Sequence, residues 1–80
     1  MRLPRDISGR DLARVLETFG YQISRQSGSH IRLTTQRSGE HHITIPDHDQ
    51  LRVGTLSAIL ADVARHFELS RDELASRLFG

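Results

Sequence analysis

The chain has 80 residues, of which 26% are charged and 36% are hydrophobic, and its net charge is +1. This length allows one compact domain and excludes a multidomain enzyme. Because there is no cysteine, a disulfide framework, a thiol nucleophile and a Cys-ligated zinc site are also excluded. No apolar run is typical of a signal peptide or a membrane span, so we expect a soluble, cytoplasmic protein that does not contact membranes.

Two apolar series with helical spacing flank the middle of the chain and predict two amphipathic helices. The first begins after the capping residue Ser8 and ends at Gly20, and its apolar residues are Leu12, Val15, Leu16 and Phe19. The second begins at Gly54-Thr55, and its apolar residues are Leu56, Ile59, Leu60, Val63 and Phe67. A capping box over residues 70–73 predicts a short third helix.

Between the two main helices the apolar period changes to two, which predicts three short strands joined by hairpins. Three-residue loops, each with glycine in the last position, set the register that we adopt. The first loop places Ile23 opposite Ile31. The second places Leu33 opposite Ile43, whereas a two-residue loop would place Leu33 opposite Thr44. Apolar residues then face one another in both hairpins.

These elements predict an α+β two-layer sandwich over residues 1–80, treated as a single domain. A three-stranded antiparallel meander has both main helices on one face, in the order α-β-β-β-α, and a short C-terminal helix follows. The other face of the sheet is left to solvent. Its predicted residues are Gln22, Ser24, His30, Arg32, Thr34, His42 and Thr44.

Any solvated antiparallel face is polar, so polarity alone does not identify a site on this face. His30, however, follows the Gly28-Ser29 turn and lies across from Pro46, which brings the loop 47–49 within reach. Histidine exchanges a proton near neutral pH, and arginine binds phosphate through two parallel hydrogen bonds. His30 and Arg32 therefore match the needs of attack by an RNA 2′-hydroxyl on the neighbouring phosphate.

Three motifs resemble those of the HicA (YcfA-like) mRNA interferase toxins in order and spacing. They are Gly28-Ser29-His30, the run from Ile43 to His48, and Gly54-Thr55-Leu56 with Ile59-Leu60. The resemblance covers about residues 8–64 and leaves 68–80 as a C-terminal extension. It implies a double-stranded-RNA-binding-like fold, mRNA cleavage without a metal or cofactor, and a HicB-like antitoxin as partner. It also implies that His30 is the catalytic residue.

We accordingly predict His30 as the catalytic residue on the solvated face. The predicted RNA-binding residues are Arg32, Ser29, Gln22 and Thr44, and the residues predicted to support His30 from the loop are Asp47 and His48. Family members are often rich in lysine, whereas all eleven basic residues here are arginine. The RNA-binding residues are therefore predicted from the sheet face and not from the family.

Three alternatives stay open. A non-catalytic double-stranded-RNA-binding module has the same element order, but such modules carry a basic cluster at the start of the second helix, where this chain has only Arg52. A metal site is suggested by His41, His42 and His48, but adjacent residues of a strand point to opposite faces. An antitoxin or structural adaptor is suggested by the apolar third helix with Leu74, Leu78 and Phe79, and this helix also offers a homodimer contact.

Overall fold

The computed structural model describes residues 3–80 and shows three helices and one three-stranded antiparallel sheet with strand order β1-β2-β3. The helices are α1 (Gly9–Val15), α2 (Val53–His66) and α3 (Arg71–Phe79), and a 3₁₀ turn (Leu16–Phe19) continues α1. The strands are β1 (Gln22–Ser27), β2 (His30–Thr35) and β3 (His41–Pro46). The predicted α+β architecture is confirmed, and it is consistent with a double-stranded-RNA-binding-like fold.

Local sequence signals set the helix ends. The Ser8 hydroxyl accepts a hydrogen bond from the Asp11 amide at 3.0 Å and caps α1. Gly20 closes the 3₁₀ turn with a left-handed φ of 82°, a conformation that glycine adopts without a steric penalty. The predicted capping box at α3 is complete, because Ser70 and Glu73 exchange side-chain to backbone hydrogen bonds. Helix α2 begins at Val53, one residue before the predicted start.

The core lies between the sheet and the helices. Its fully buried side chains come from every helix, from β2 and β3, and from Tyr21 just before β1. The largest are Leu12, Leu16, Tyr21, Ile31, Leu33, Ile45, Leu56, Leu60 and Leu74. Thr35 is a buried polar residue whose hydroxyl donates to the Phe19 carbonyl at 3.0 Å and accepts from the Arg37 amide at 3.1 Å. Nowhere in residues 3–80 is a helix both long and apolar enough to cross a membrane.

The second hairpin has the predicted register, with Leu33 opposite Ile43. The predicted register of the first hairpin is wrong, because Ile23 pairs with Leu33 and not with Ile31. The loop there has two residues, Gly28-Ser29, and closes between Ser27 and His30. Gly28 has a φ of 56°, which fits the two-residue hairpin turns that need glycine in the first position.

A β-bulge between Ile23 and Arg25 accommodates the different register. Two consecutive residues, Ser24 and Arg25, now lie on the solvent side of β1, since Arg25 pairs with the outward Arg32 and Ser24 bonds to Thr34. Ile23 lies on the helix side but remains 53% exposed, so it is not the core residue that the apolar pattern predicted. Residues of β2 and β3 are buried under the helix layer, whereas β1, at one edge of the sheet, has no buried residue.

The loop after β3 is tied to the start of α1 by backbone hydrogen bonds. The Gly9 amide donates to the His48 carbonyl at 2.9 Å, and the Leu51 amide donates to the Ile7 carbonyl at 2.9 Å. A Cβ atom on Gly9 would collide with the Pro46 carbonyl oxygen. Glycine is therefore required where α1 approaches the end of β3, directly behind the strand position that pairs with His30.

Candidate active site

The solvent side of the sheet, which we call the open face, is polar as predicted. It carries Gln22, Ser24, Arg25, Ser27, His30, Arg32, Thr34, His42 and Thr44. All of these residues are exposed except Thr34, which is half-buried. The regular pairing of β2 with β3 places His30 opposite Pro46 and Arg32 opposite Thr44. The open face therefore contains His30, Arg32 and Thr44 as a continuous group, with the Gly28-Ser29 turn at one end.

His30 begins β2 and lies opposite Ser27 on one side and Pro46 on the other. Its side chain is exposed, and no described residue forms a hydrogen bond with either ring nitrogen. An imidazole with both nitrogens free can accept a proton at one position while the other bonds to substrate or water. His30 thus has the access that a general base or acid needs.

His42 shares the open face but has both ring nitrogens occupied. Nε2 is 2.9 Å from the Glu40 carboxylate, and Nδ1 is 2.7 Å from the Thr34 hydroxyl. Because a carboxylate only accepts, Nε2 carries the proton, and in the neutral ring Nδ1 accepts from Thr34. The Thr34 hydroxyl also lies 2.8 Å from that of Ser24, so hydrogen bonds connect β1, β2, β3 and Glu40.

Glu40 gives this end of the open face a negative charge. The hydrogen bond from His42 lowers the pKa of the Glu40 carboxyl, and a further hydrogen bond from Gln36 acts in the same direction. The carboxylate therefore remains ionised to lower pH than an ordinary glutamate. Glu40 lies at the turn between β2 and β3, whereas the cations lie toward the opposite turn, and Arg32 is close enough for its charge to lower the pKa of Glu40 further.

Arg25 is a residue of the open face that the sequence analysis did not place there. It lies directly opposite Arg32, and Arg32 has Thr44 on its other side. In a regular strand Arg25 would share the face of Ile23, and only the bulge turns it to solvent. The spacing of apolar residues carried no signal for this bulge, so the second arginine was missed.

The loop after β3 approaches His30 through its backbone. The Asp47 amide donates to the Ser29 carbonyl at 2.6 Å, which confirms that this loop lies beside the turn. The Asp47 carboxylate, however, accepts from Arg10 at 3.1 Å and from Gln26 at 3.5 Å, so it is directed to α1 and the edge of β1. The His48 side chain is exposed and forms no hydrogen bond with a described residue.

The remaining predicted RNA-binding residues lie at different distances from His30. Ser29 immediately precedes it in the turn, and Thr44 flanks Arg32 on β3. Gln22 is opposite Thr34, near the Glu40 end of the face. The structure thus brings Ser29, Arg32 and Thr44 around His30 and leaves Gln22 at the far end.

His41 lies on the helix side of the sheet, as expected for the residue beside His42 on a strand. Its ring stacks on the His66 ring with centroids 4.4 Å apart. Its Nδ1 lies 2.7 Å from the Tyr21 hydroxyl, and its Nε2 lies 3.3 Å from the Asp62 carboxylate. Burial, followed by the charge of Asp62, raises the pKa of Tyr21, so its hydroxyl stays protonated. In residues 3–80 no three His, Asp or Glu side chains converge as a metal site would require.

A family model described as HicA toxin of bacterial toxin-antitoxin matches residues 9–64, which is more than half of the chain. The chain belongs to the HicA toxin family. Searches of curated proteins and of solved structures give no significant match. The predicted family is thereby confirmed, and membership makes the chain a toxin of a bacterial toxin-antitoxin system.

The part that matches HicA runs from the first residue of α1 into α2 and contains the whole open face. Helix α3 lies outside the match, which ends at residue 64. It nevertheless packs on the HicA core, since Leu74 is fully buried and the Arg71 guanidinium bonds to the Ser57 hydroxyl of α2. In this HicA toxin, α3 therefore contributes to the same hydrophobic core as α2.

Proposed function

We propose that this HicA toxin is a metal-independent endoribonuclease that cleaves mRNA with His30 as its catalytic residue. One observation carries the proposal: within residues 3–80 neither ring nitrogen of the exposed His30 has a hydrogen-bond partner, and His30 shares the open face with Arg25 and Arg32, which form no ion pair there. No other histidine of the open face has a free ring, since His42 is held by Thr34 and Glu40.

The proposed reaction is attack of a ribose 2′-hydroxyl on the adjacent phosphorus. The His30 ring takes the 2′-hydroxyl proton as the new P–O bond forms, and the P–O bond to the 5′-oxygen breaks as that oxygen takes a proton from solvent water. His30 then returns its proton to the solvent. The products are a 2′,3′-cyclic phosphate and a 5′-hydroxyl. Guanidinium groups on the open face stabilise the charge that builds on the phosphoryl oxygens. Ser29, Gln22 and Thr44 are proposed RNA contacts. Asp47 and His48 are proposed to support His30 through the backbone of their loop, since the Asp47 amide bonds to Ser29 while its carboxylate bonds to Arg10.

The test is incubation of the purified toxin with unstructured RNA in excess chelator, beside a His30→Ala variant. We expect cleavage by the parent and none by the variant, with cyclic phosphate ends on the products. His42→Ala is the matched control, because it removes a histidine from the same face without touching the His30 end, and it should retain cleavage. Parent-like cleavage by His30→Ala would contradict the assignment.

The alternative is a non-catalytic double-stranded-RNA-binding module, which the α-β-β-β-α order also fits. Titration with duplex RNA separates the two functions. A module binds the duplex and leaves every strand intact, whereas the proposed nuclease breaks single-stranded RNA.

Regulation is proposed to come from a HicB-like antitoxin that covers the open face and blocks access to His30 in the cytoplasm, where the mRNA is found. Arg32 would then meet acidic groups of the antitoxin. Hydrogen exchange of the complex tests this mechanism. Protection of β2 and of the Gly28-Ser29 turn is expected, and protection confined to the helices would contradict it.

A homodimer through α3 is a separate proposal. Light scattering of the isolated chain tests it, since a dimer gives twice the mass of one chain and the mass of a single chain would contradict the proposal.

A further inference from the structure

We infer that Arg25 and Arg32 together bind one phosphate of the RNA backbone beside His30, as a two-arginine clamp. This inference rests on the proposed function and deepens it, because it assigns the group of the substrate that positions the strand. Nothing in the three HicA-like motifs includes Arg25. The inference depends on the bulge in β1, on the charges around the pair, and on its distance from His30.

The pair is electrostatically unfavourable in the free protein. Arg25 and Arg32 are directly opposite on adjacent antiparallel strands, where Cβ atoms lie about 4.5–5.5 Å apart and like charges destabilise the sheet. Neither guanidinium forms an ion pair or a side-chain hydrogen bond with a described residue. By contrast, Arg10 pairs with Asp47 and Arg14 with Asp11. An anion between Arg25 and Arg32 would remove their repulsion.

The bulge is what creates the pair. It interrupts the regular ladder between Ile23 and Arg25, and bulges commonly redirect a side chain next to a functional site. Without it, Arg25 would lie on the helix side with Ile23. Two locally unfavourable features, the interrupted ladder and the opposed cations, therefore occur at the same position of the open face.

The pair is also close to the proposed catalytic residue. Arg32 lies two residues beyond His30 on β2, which is about 7 Å along the strand and on the same face. Arg25 is likewise two residues from Ser27, the partner of His30. Guanidinium groups bind phosphate oxygens in pairs of parallel hydrogen bonds, so a phosphate held here lies within one nucleotide of the ring.

The rest of the face restricts where the RNA backbone can run. Glu40 is ionised at the opposite end and repels phosphate, whereas no carboxylate lies among the open-face residues from Ser27 to Arg32. Thr44 beside Arg32 adds a hydroxyl that can donate to a phosphate oxygen. The phosphate path is therefore expected to cross the sheet near the Gly28-Ser29 turn.

The experiment uses the full chain with His30→Ala, so that a labelled single-stranded RNA stays intact, and measures affinity against salt together with the melting temperature. Arg25→Glu replaces the opposed cations by an ion pair with Arg32. We expect it to raise the melting temperature by about 2–5 °C while it weakens RNA binding about tenfold or more. Because both arginines hold the same phosphate, Arg25→Ala and Arg32→Ala should each lower the salt slope in part, and the double substitution should lower it by about 0.7, the contribution of one phosphate of a single strand. Arg77→Ala, an exposed change on α3, is the matched control.

Parent-like RNA affinity of Arg25→Glu, with the fold intact, would overturn the clamp. A fall in both melting temperature and affinity would also overturn it, because it would show a structural role for Arg25. The outcomes that contradict the proposed nuclease function are different ones. If the parent with His30 leaves RNA intact but the Arg25 variants still lose binding, the clamp stands and catalysis is wrong. If the parent cleaves and Arg25→Glu binds and cleaves equally well, catalysis stands and the clamp is wrong.

Discussion

His30 and His42 occupy the same face of the same sheet, yet their surroundings give them different chemistry. The ring of His42 is fixed between Thr34 and Glu40, whereas the His30 ring has no hydrogen-bond partner among the described residues. A fixed ring contributes to structure, because its proton is shared with a carboxylate. A free ring can exchange its proton with a substrate. Residue type alone does not distinguish the two histidines, and the hydrogen-bond partners do.

A first prediction concerns Glu40. Its folded-state pKa is depressed by the hydrogen bond from His42, so its stabilising effect is present above the ordinary value of 4.5 and is lost as pH falls through the lower folded pKa. Glu40→Gln should therefore flatten the loss of stability on acidification below pH 4.5. Urea denaturation of both proteins between neutral pH and pH about 3 checks this. Parallel pH profiles for parent and variant would contradict the assigned contact.

A second prediction follows from the negative charge of Glu40 on the open face. Because Glu40→Gln removes a charge that repels phosphate, it should strengthen RNA binding by the His30→Ala chain at low salt and have less effect at high salt. Glu73→Gln, at the start of α3, is a control carboxylate away from the sheet. If the two substitutions change affinity equally, the RNA does not approach the open face.

At the scale of the elements, we predict that truncation of a core side chain in β2 or α2 lowers the free energy of unfolding much more than truncation of the apolar side chain in β1. Leu33→Ala and Leu60→Ala should each destabilise by about 2–5 kcal/mol, because both side chains are fully buried. Ile23→Ala should cost about 1 kcal/mol or less, since Ile23 is 53% exposed. Chemical denaturation measures all three. A large cost for Ile23→Ala would mean that the helices cover β1 in solution.

The same contrast shows how far the sequence predicts this fold. The register of the second hairpin was predicted correctly, because a loop that ends in Gly39 places two core residues, Leu33 and Ile43, opposite one another. The register of the first hairpin was predicted wrongly, because a two-residue turn shifts the pairing of the strands and a bulge between Ile23 and Arg25 shifts it again. Period-two spacing describes a regular ladder and carries no signal for a bulge. Arg25 was missing from the predicted open face for that reason, whereas His30 and Arg32 were placed on that face correctly because β2 is regular.

The loop after β3 shows a second limit of sequence analysis. The pairing of His30 with Pro46 correctly predicted that this loop lies near the turn. The direction of the Asp47 carboxylate depends on Arg10, which is 37 residues away in the chain and belongs to the other layer. Spacing within the loop contains no information on that contact. The backbone position was therefore predictable, and the ion pair was not.

At the scale of the whole molecule, a net charge of +1 leaves little long-range attraction for RNA, so binding should depend on the local cations of the open face. RNA affinity should still fall with salt, because each neutralised phosphate releases counterions. The slope should correspond to about two or three phosphates, well below the 6–10 contacts of large nucleic-acid-binding proteins. Titrations at several salt concentrations measure it. A slope unchanged by Arg32→Ala would place the RNA elsewhere, near Arg37 or Arg52.

The small size of the molecule also bears on its proposed control by an antitoxin. The accessible surface is 5020 Å², and a standard protein interface buries about 800 Å² on each partner. One such interface would cover a large part of the open face. Arg32→Glu should weaken the complex if the antitoxin presents acidic groups there, and calorimetry of the purified pair measures the change. An unaffected complex would point to binding on the helices.

The backbone hydrogen bonds around Gly9 have a consequence for the motion of the loop after β3. Many enzymes close a loop over the substrate, and turnover is then limited by loop opening on the microsecond to millisecond timescale. Here the segment between β3 and α2 is hydrogen-bonded through His48 to Gly9 of α1, through Leu51 to Ile7, and through Asp47 to Ser29 of the hairpin turn. Such a segment should open only with the surrounding fold, so the amides of Gly9 and Leu51 should exchange slowly. As the proposed nuclease, the toxin would act as a rigid platform, and its turnover would be set by binding and release of RNA on the open face and not by loop motion.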